Sequence, residues 1–340
     1  MNFDQEIDRQ GTYSFKWERY KGRDILPVWV ADSEFRCAEP IVTALKERAE
    51  HGVYGYHLPA QYEPANKAVC RWLKDKHNWE IKSEWIVWTP GVVPAFNVAC
   101  KAYCEVGDKV IIQTPNYPPM LAAPELNHLI KETVETVQVD GRWTLDFQEL
   151  EQKASDPKTK LFIMCNPMNP VGSVMTKEEL TRVEQICLKH NVVLCSDEIH
   201  CDLILDQAVK HIPAGTLPEI GEQAITLMAA SKTFNVAGLG TSFAIIRDSK
   251  IRTKFQRAAA GHMPWVTFMG LIATEVAFTQ CDEWYESLLD YLRGNLDYLE
   301  NELNQIEGFN FVRPQATFLA WVDASGLGVE DVQKYMESKG

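Results

Sequence analysis

The chain has 340 residues, and its 47 acidic and 34 basic side chains give a formal net charge of −13. This length predicts about two domains, and the negative charge disfavours nucleic-acid or membrane-surface binding, because both need cationic surface. No apolar run approaches the roughly 20 residues that span a bilayer. The N-terminus is polar and acidic without a signal-peptide pattern, and the nine scattered cysteines suit a reducing compartment. We therefore expect a cytoplasmic protein.

The elements predicted along the chain alternate between strands and helices. A strand at Trp85–Trp88 is followed by a helix at Ala95–Tyr103, and Thr176 with Glu179 three residues later predicts a capped helix start. From about residue 250 to Glu307 the pattern is helical, and the last segment reads as strand, turn and strand. Five more short apolar runs predict strands buried on both faces: 109–113, 160–165, 192–197, 224–229 and 243–246.

This alternation predicts an α/β fold, with a mainly parallel sheet wrapped by helices. We expect residues 48–280 to form this large domain. Residues 1–47 would form an N-terminal arm and part of a smaller α+β domain, which residues 281–340 would complete from the other end of the chain.

Two polar side chains follow apolar strands directly. Lys232, in Ser-Lys-Thr-Phe-Asn, should lie at the carboxyl edge of the sheet, where open α/β sheets place ligands. A lysine in a dry pocket has a depressed pKa and can form a Schiff base, although an ordinary exposed lysine also fits these five residues. Asp197 ends another strand, and a carboxylate buried there needs a cationic partner.

The segment around Asp197, Asp-Glu-Ile-His, has two other interpretations. It resembles a helicase DExH box, but the phosphate loop that such an enzyme needs is missing from the sequence. Cys195, His200 and Cys201 could be considered a metal cluster, but their spacing matches no standard zinc pattern. We therefore favour structural roles for these side chains over metal binding.

Four further motifs follow predicted strands or lie in loops. The doubled Asn-Pro unit that contains Asn169 predicts a rigid loop or a plain turn. Gly91, at a strand-to-helix junction, would let backbone N–H groups approach a phosphate. Tyr117 could stack on a planar ring or pack in the core, and Tyr56 lies in a polar loop or an interface.

In this order the motifs resemble those of the fold-type I pyridoxal-phosphate enzymes, the aspartate aminotransferase superfamily. Twenty-eight positions separate Asn169 from Asp197, and 35 separate Asp197 from Lys232. Within that superfamily the chain is most similar to the MalY/PatB-type cystathionine β-lyases, the cysteine C–S lyases. That similarity extends over nearly the whole chain through four segments: VWVADSEF, YGYHLP, TPGVVPAF and QATFLAWVD.

The resemblance implies a pyridoxal 5′-phosphate enzyme that cleaves cystathionine or other cysteine S-conjugates. Lys232 would hold the cofactor as a Schiff base and later move the α-proton. Asp197 would pair with the pyridinium nitrogen, and Asn169 would bind the ring hydroxyl oxygen. The remaining implied contacts are stacking by Tyr117, phosphate binding by Gly91, Val92 and Ser231, a cofactor contact by His200, and a phosphate contact by Tyr56 across a homodimer with a shared active site.

The chain departs from the wider superfamily at several positions. Aminotransferases commonly carry an arginine eight residues after the lysine, where this chain has Gly240, and a tyrosine where it has His200. Both features suit the lyase subgroup. The late arginine that would clamp the substrate carboxylate is not found, since Arg313 precedes its expected place, and we expect a chain truncated at Gly340. An aminotransferase and a cofactor-binding regulator with little catalysis are the alternative functions.

Overall fold

The computed structural model describes residues 1–340 and shows helices alternating with strands. The helices are α1 (Phe15–Glu18), α2 (Glu39–Glu50), α3 (Glu63–His77), α4 (Val92–Tyr103), α5 (Pro118–Leu126), α6 (Phe147–Ala154), α7 (Lys177–His190), α8 (Ser249–Ala259), α9 (Phe268–Gln280), α10 (Asp282–Leu303) and α11 (Val332–Glu337). The strands are β1 (Ile86–Thr89), β2 (Lys109–Thr114), β3 (Ile130–Val139), β4 (Arg142–Leu145), β5 (Thr159–Cys165), β6 (Val193–Asp197), β7 (Ile225–Met228), β8 (Ser242–Ile245), β9 (Asn310–Phe311) and β10 (Val322–Asp323).

Eight strands form one sheet in the order β1-β8-β7-β6-β5-β2-β3-β4. From β7 through β6, β5 and β2 to β3, every neighbouring pair is parallel. The strand β8 is antiparallel to both β1 and β7, and β4 is antiparallel to β3. Strands β1, β2, β3, β5, β6 and β7 therefore point the same way, which confirms the predicted mainly parallel α/β fold.

Apolar side chains cover both faces of this sheet. On β5, for example, Ile163 belongs to one buried cluster and Phe162 to another, because successive side chains point to opposite faces. Helices α4 and α8 cover the first face, and α6 and α7 cover the second. Burial on both sides explains why these strands read as continuous apolar runs in the sequence.

The structure refines the expected element limits at several places. The helical region predicted from about residue 250 to Glu307 consists of the three helices α8, α9 and α10, with an irregular stretch at 260–267 between α8 and α9. The terminal strand, turn and strand are confirmed as the short antiparallel pair β9–β10. The hairpin β3–β4 was not predicted, and neither were α2 and α3. None of the helices is long and apolar enough to cross a membrane.

The predicted capped start of α7 is confirmed. The Thr176 side chain accepts a hydrogen bond from Glu179 N at 3.2 Å, and Glu179 Oε2 accepts one from Thr176 N at 2.8 Å. Glu179 also binds Arg142 and Thr144 of β4. The capping residue therefore ties the helix to the edge of the sheet.

Candidate active site

Five parallel strands end at one edge of the sheet, and a candidate residue lies at or after the end of each strand. Because β1, β2, β5, β6 and β7 run in the same direction, their carboxyl ends lie at the same edge. Open α/β sheets bind ligands in this position. The residues that follow or end these strands are, in chain order, Gly91, Tyr117, Asn169, Asp197 and Lys232.

Lys232 lies in the turn that follows β7. Its Nζ donates a 2.7 Å hydrogen bond to the carbonyl oxygen of Ala31. Burial lowers the pKa of Lys232, while the negative charges of Asp32 and Asp197 act in the opposite direction. A lysine with a lowered pKa holds more of the neutral amine that attacks a carbonyl carbon.

Asp197 is the last residue of β6 and is almost fully buried. The neighbouring strands place it beside Cys165 of β5 and Leu227 of β7. One carboxylate oxygen, Oδ1, accepts a hydrogen bond from Ile199 N at 3.1 Å, and no cationic side chain forms an ion pair with Asp197. Burial raises the pKa of this carboxyl to about 7, although Ile199 N and the charge of Lys232 lower it. The carboxylate therefore lacks the cation that a buried charge needs.

His200 is buried three residues beyond Asp197, and neither of its ring nitrogens has a hydrogen-bond partner. Burial, followed by the positive charge of Lys232, lowers the pKa of His200 to about 3. The imidazole is therefore neutral and has two unused polar atoms close to the lysine. Orphaned polar atoms of this kind indicate a missing partner, because buried polar groups are normally hydrogen-bonded.

The doubled Asn-Pro loop lies directly against the strand that ends at Asp197. Asn166 N donates to the carbonyl oxygen of Asp197 at 3.0 Å, while Asn166 Nδ2 is buried without a partner. Asn169 is half-buried and follows in the same loop. Gly172 closes the loop at a φ of +69°, and a Cβ there would lie 2.3 Å from Pro314 Cβ. This position therefore needs glycine.

The residues expected around a phosphate lie at two junctions that follow β1 and β7. Gly91 immediately precedes α4, Val92 begins it, and Ser231 is buried in the turn beside Lys232. Gly240 has a φ of +58° and approaches the backbone oxygen of Pro90. The position where aminotransferases commonly carry arginine is therefore a glycine in the left-handed conformation next to this helix start.

Tyr117 lies immediately before α5 and is 36% exposed, and Tyr56 is fully exposed. Burial raises the pKa of Tyr117, and the negative charge of Asp197 acts in the same direction. Tyr56 contacts none of the other candidates in its own chain. Instead it lines an open cavity of about 1100 Å³ together with Tyr54 and Trp265.

Sequence reasoning gave no role to the segment at 31–35 or to Asn235. In the structure the Ala31 carbonyl oxygen accepts a hydrogen bond from Lys232 Nζ. The Asn235 side-chain amide donates to the carbonyl oxygens of Ser33 and Phe35. Both segments occur in motifs that carried the resemblance, VWVADSEF and SKTFN. Nothing in a single sequence indicates that the two motifs touch.

The fold and the site define a class of α/β enzymes that bind a ligand at the carboxyl edge of a mainly parallel sheet beside a half-buried lysine. The family model "Aminotransferase class I and II" matches residues 30–338, and the chain belongs to this family. This confirms the superfamily that the sequence motifs indicated.

The chain is also similar in sequence or structure to three individual proteins. The chain is 38% identical over 357 residues to "Cystathionine beta-lyase PatB" of Bacillus subtilis (strain 168), covering 100% of this chain and 89% of that protein. The crystal structure of OvoB superposes with a TM-score of 0.96 at 39% identity, covering 100% of this chain and 89% of that one. Cystalysin from Treponema denticola, a structure that contains a pyridoxal 5′-phosphate cofactor, gives a TM-score of 0.91 at 34% identity, covering 99% and 86%.

The residues present fit that cofactor. A protonated pyridine nitrogen would supply the cation that the buried Asp197 lacks. The unpartnered nitrogens of His200 and Asn166 would gain a polar ligand nearby. The start of α4 offers backbone N–H groups to a phosphate, and Lys232 offers an amine to an aldehyde.

Proposed function

We propose that this protein is a pyridoxal 5′-phosphate-dependent carbon–sulfur β-lyase. It cleaves cystathionine and other cysteine S-conjugates by α,β-elimination to a thiol, pyruvate and ammonia. The observation that carries this proposal is the 38% identity over the whole chain to a cystathionine β-lyase. The orphaned carboxylate at 197 and the lysine at 232, at the same sheet edge, supply the chemistry that such a reaction needs.

The bound cofactor supplies an electron sink for the charge left when the substrate loses its α-proton. Asp197 would hold the ring nitrogen protonated, since burial makes an unpaired carboxylate costly and a cation at that point would offset the cost. Asn169 would bind the ring oxygen, Tyr117 would stack on the ring, and His200 would contact the cofactor from its buried position. Gly91, Val92 and Ser231 would bind the phosphate through the start of α4 and the turn that follows β7.

Lys232 moves the proton. When its Nζ is not covalently bound, it is a half-buried amine with a lowered pKa, which is the direction that suits a general base. The hydrogen bond to the Ala31 carbonyl keeps the amine at the site. Removal of the α-proton by Lys232 then permits the thiolate to leave from the neighbouring carbon.

We propose that the active protein is a homodimer in which Tyr56 reaches the phosphate of the neighbouring subunit. Tyr54 and Trp265, both exposed, line the same open cavity as Tyr56, and the nearby positions in the sequence add exposed Val53 and Leu58. A cluster of this kind on a soluble protein marks an interaction surface. We also propose a cytoplasmic location, with a large domain at residues 48–280 and a small domain from residues 1–47 and 281–340.

An assay with cystathionine as the sole substrate tests the proposed activity. The lyase releases pyruvate without an added keto acid, whereas an aminotransferase requires the keto acid as acceptor. Replacement of Lys232 by alanine should lower the rate by about 10²- to 10⁴-fold, the range for a lost general base. Pyruvate formation that depends on a keto acid would identify an aminotransferase, and bound cofactor with no turnover would indicate a regulator.

A further inference from the structure

The segment Ala31–Phe35, here called the strap, crosses the turn that carries Lys232. It has no helix or strand, so its carbonyl groups gain no partners from regular secondary structure. Side chains fill that role instead. The contacts are Lys232 Nζ to Ala31 O (2.7 Å), Lys16 Nζ to Asp32 O (2.9 Å), Asn235 Nδ2 to Ser33 O (3.1 Å) and Phe35 O (2.6 Å), and Arg9 Nη1 to Ser33 O (3.3 Å).

Asn235 joins the strap to the lysine turn directly. It lies three residues after Lys232 at a φ of +55°, a conformation that asparagine tolerates better than most residues. Its amide nitrogen has two hydrogens, and the two strap carbonyls accept both of them. The same short turn therefore carries the reactive amine and the amide that fixes the strap.

The other side of the strap is held by cations from the N-terminal segment. Arg9 Nη2 donates to Asp32 Oδ2 at 2.8 Å, and Lys16 Nζ pairs with Glu34 Oε1 at 2.7 Å. From the Lys232 turn, the only cation that binds the strap is Lys232 itself. Asn235 is therefore the uncharged side chain that binds the strap on the side of the active site.

We propose that Asn235 is a positioning residue, which holds the strap against the Lys232 turn and so keeps the Ala31 carbonyl within hydrogen-bond reach of Lys232 Nζ. This inference deepens the proposed lyase function and rests on it for its effect on turnover. Asn235 acts through Lys232, whose amine must stay aligned while it moves the proton. A displacement of about 1 Å at such a group can cost on the order of 10²-fold in rate.

Two substitutions separate the amide contacts from the backbone conformation. Asn235→Asp keeps the size and the tolerance of positive φ, but it sets a carboxylate against the two carbonyl oxygens. Asn235→Gly keeps the backbone conformation and removes the donors without repulsion. Asn191, which follows α7 at a φ of +56°, offers matched controls in Asn191→Asp and Asn191→Gly, remote from the strap in sequence and in an exposed helix cap.

The first measurement uses the protein without cofactor. Amide hydrogen exchange of residues 28–38 should be faster in Asn235→Asp than in the wild type, with a smaller change in Asn235→Gly and none in the Asn191 variants. The second follows the visible absorbance that develops when pyridoxal 5′-phosphate is added. Lys232 should react more slowly in both Asn235 variants than in the controls.

Turnover is the third measurement. We expect kcat for pyruvate release to fall by about 10- to 100-fold in Asn235→Asp, with KM changing less, while the Asn191 variants retain wild-type values. Unchanged hydrogen exchange and unchanged absorbance kinetics in the Asn235 variants would overturn the proposal. Equal losses of kcat in the Asn235 variants and in the Asn191 controls would also overturn it. If Asn235→Asp does not fold, Asn235→Gly decides. If the wild type itself releases no pyruvate, the lyase function fails, while the first two measurements still decide the role of Asn235.

Discussion

A carboxylate buried without a cation is costly, and Asp197 is such a group in the protein without cofactor. Burial raises the pKa of Asp197 to about 7, so the folded state keeps its proton up to that pH. An unfolded chain releases the same proton near pH 4. The folded state therefore binds more protons between about pH 4 and 7, and this residue's contribution to the free energy of unfolding falls as the pH rises through that window.

His200 acts in the opposite direction over much of the same range. Its folded pKa is about 3, whereas an unfolded histidine titrates near pH 6.5, so the unfolded state binds the extra proton. Its contribution to stability therefore rises with pH between those values. Because the two contributions partly cancel, only a difference between variants isolates either of them.

Replacement of Asp197 by asparagine isolates the carboxylate. In the protein without cofactor, the free energy of unfolding of Asp197→Asn minus that of the wild type should rise from pH 4 to pH 8 by on the order of 4 kcal/mol. This rise is the free-energy equivalent of the shift of the Asp197 pKa to about 7. Urea unfolding of both proteins at a series of pH values measures this gain. A stability difference that stays constant with pH would mean that Asp197 is not the buried, unpaired acid described above.

Among the elements, α7 begins with a capping box in which both reciprocal hydrogen bonds are present. The Thr176 side chain accepts from Glu179 N, and Glu179 binds both the Thr176 backbone and the neighbouring β4. Thr176→Ala removes the first of these contacts and should lower the free energy of unfolding by about 1 kcal/mol. Thr181→Ala is the control on the exposed face of the same helix, and it should cost little because its hydroxyl only bonds back to Lys177 O. Equal effects of the two substitutions in chemical denaturation would argue against the cap.

Buried strands could be predicted from the sequence because they are continuous apolar runs, and the turn-forming residues fix where they end. The hairpin β3–β4 was missed, although it carried a signal in Asp140 and Gly141. Both have positive φ and form a two-residue turn between the strands. Its strands lie near the edge of the sheet with several exposed residues, so they lack the apolar run that identified the others.

For the whole molecule, the parallel direction of the strands explains why a few short motifs could predict the candidate site. Residues that follow parallel strands meet at one edge whatever their separation in sequence. The strap contacts do not follow from this rule, since Lys232 and Ala31 are 201 positions apart and meet across the fold. The exposure of Tyr56 was equally invisible, because a polar loop and an interface have the same residue pattern.

The apolar surface around Tyr56 gives a prediction for the assembly. Wild-type protein should have twice the mass of one chain in light scattering. Trp265→Asp should shift it towards the single-chain mass with loss of activity, because a charge in an apolar interface is poorly solvated. Val106→Asp, at an exposed apolar side chain in the loop before β2, is the matched control and should remain dimeric. A fully active single-chain Trp265→Asp protein would contradict the shared site.

The most direct test of the central claim is chemical trapping at Lys232. Borohydride reduces the bond between a lysine and a bound pyridoxal 5′-phosphate to a stable amine, so digestion and mass spectrometry locate the modified residue. We predict that the peptide containing Lys232 gains the mass of the reduced cofactor, and that Lys232→Ala protein gains none anywhere. A label on a different lysine, or an unlabelled Lys232 peptide from protein saturated with cofactor, would contradict the account.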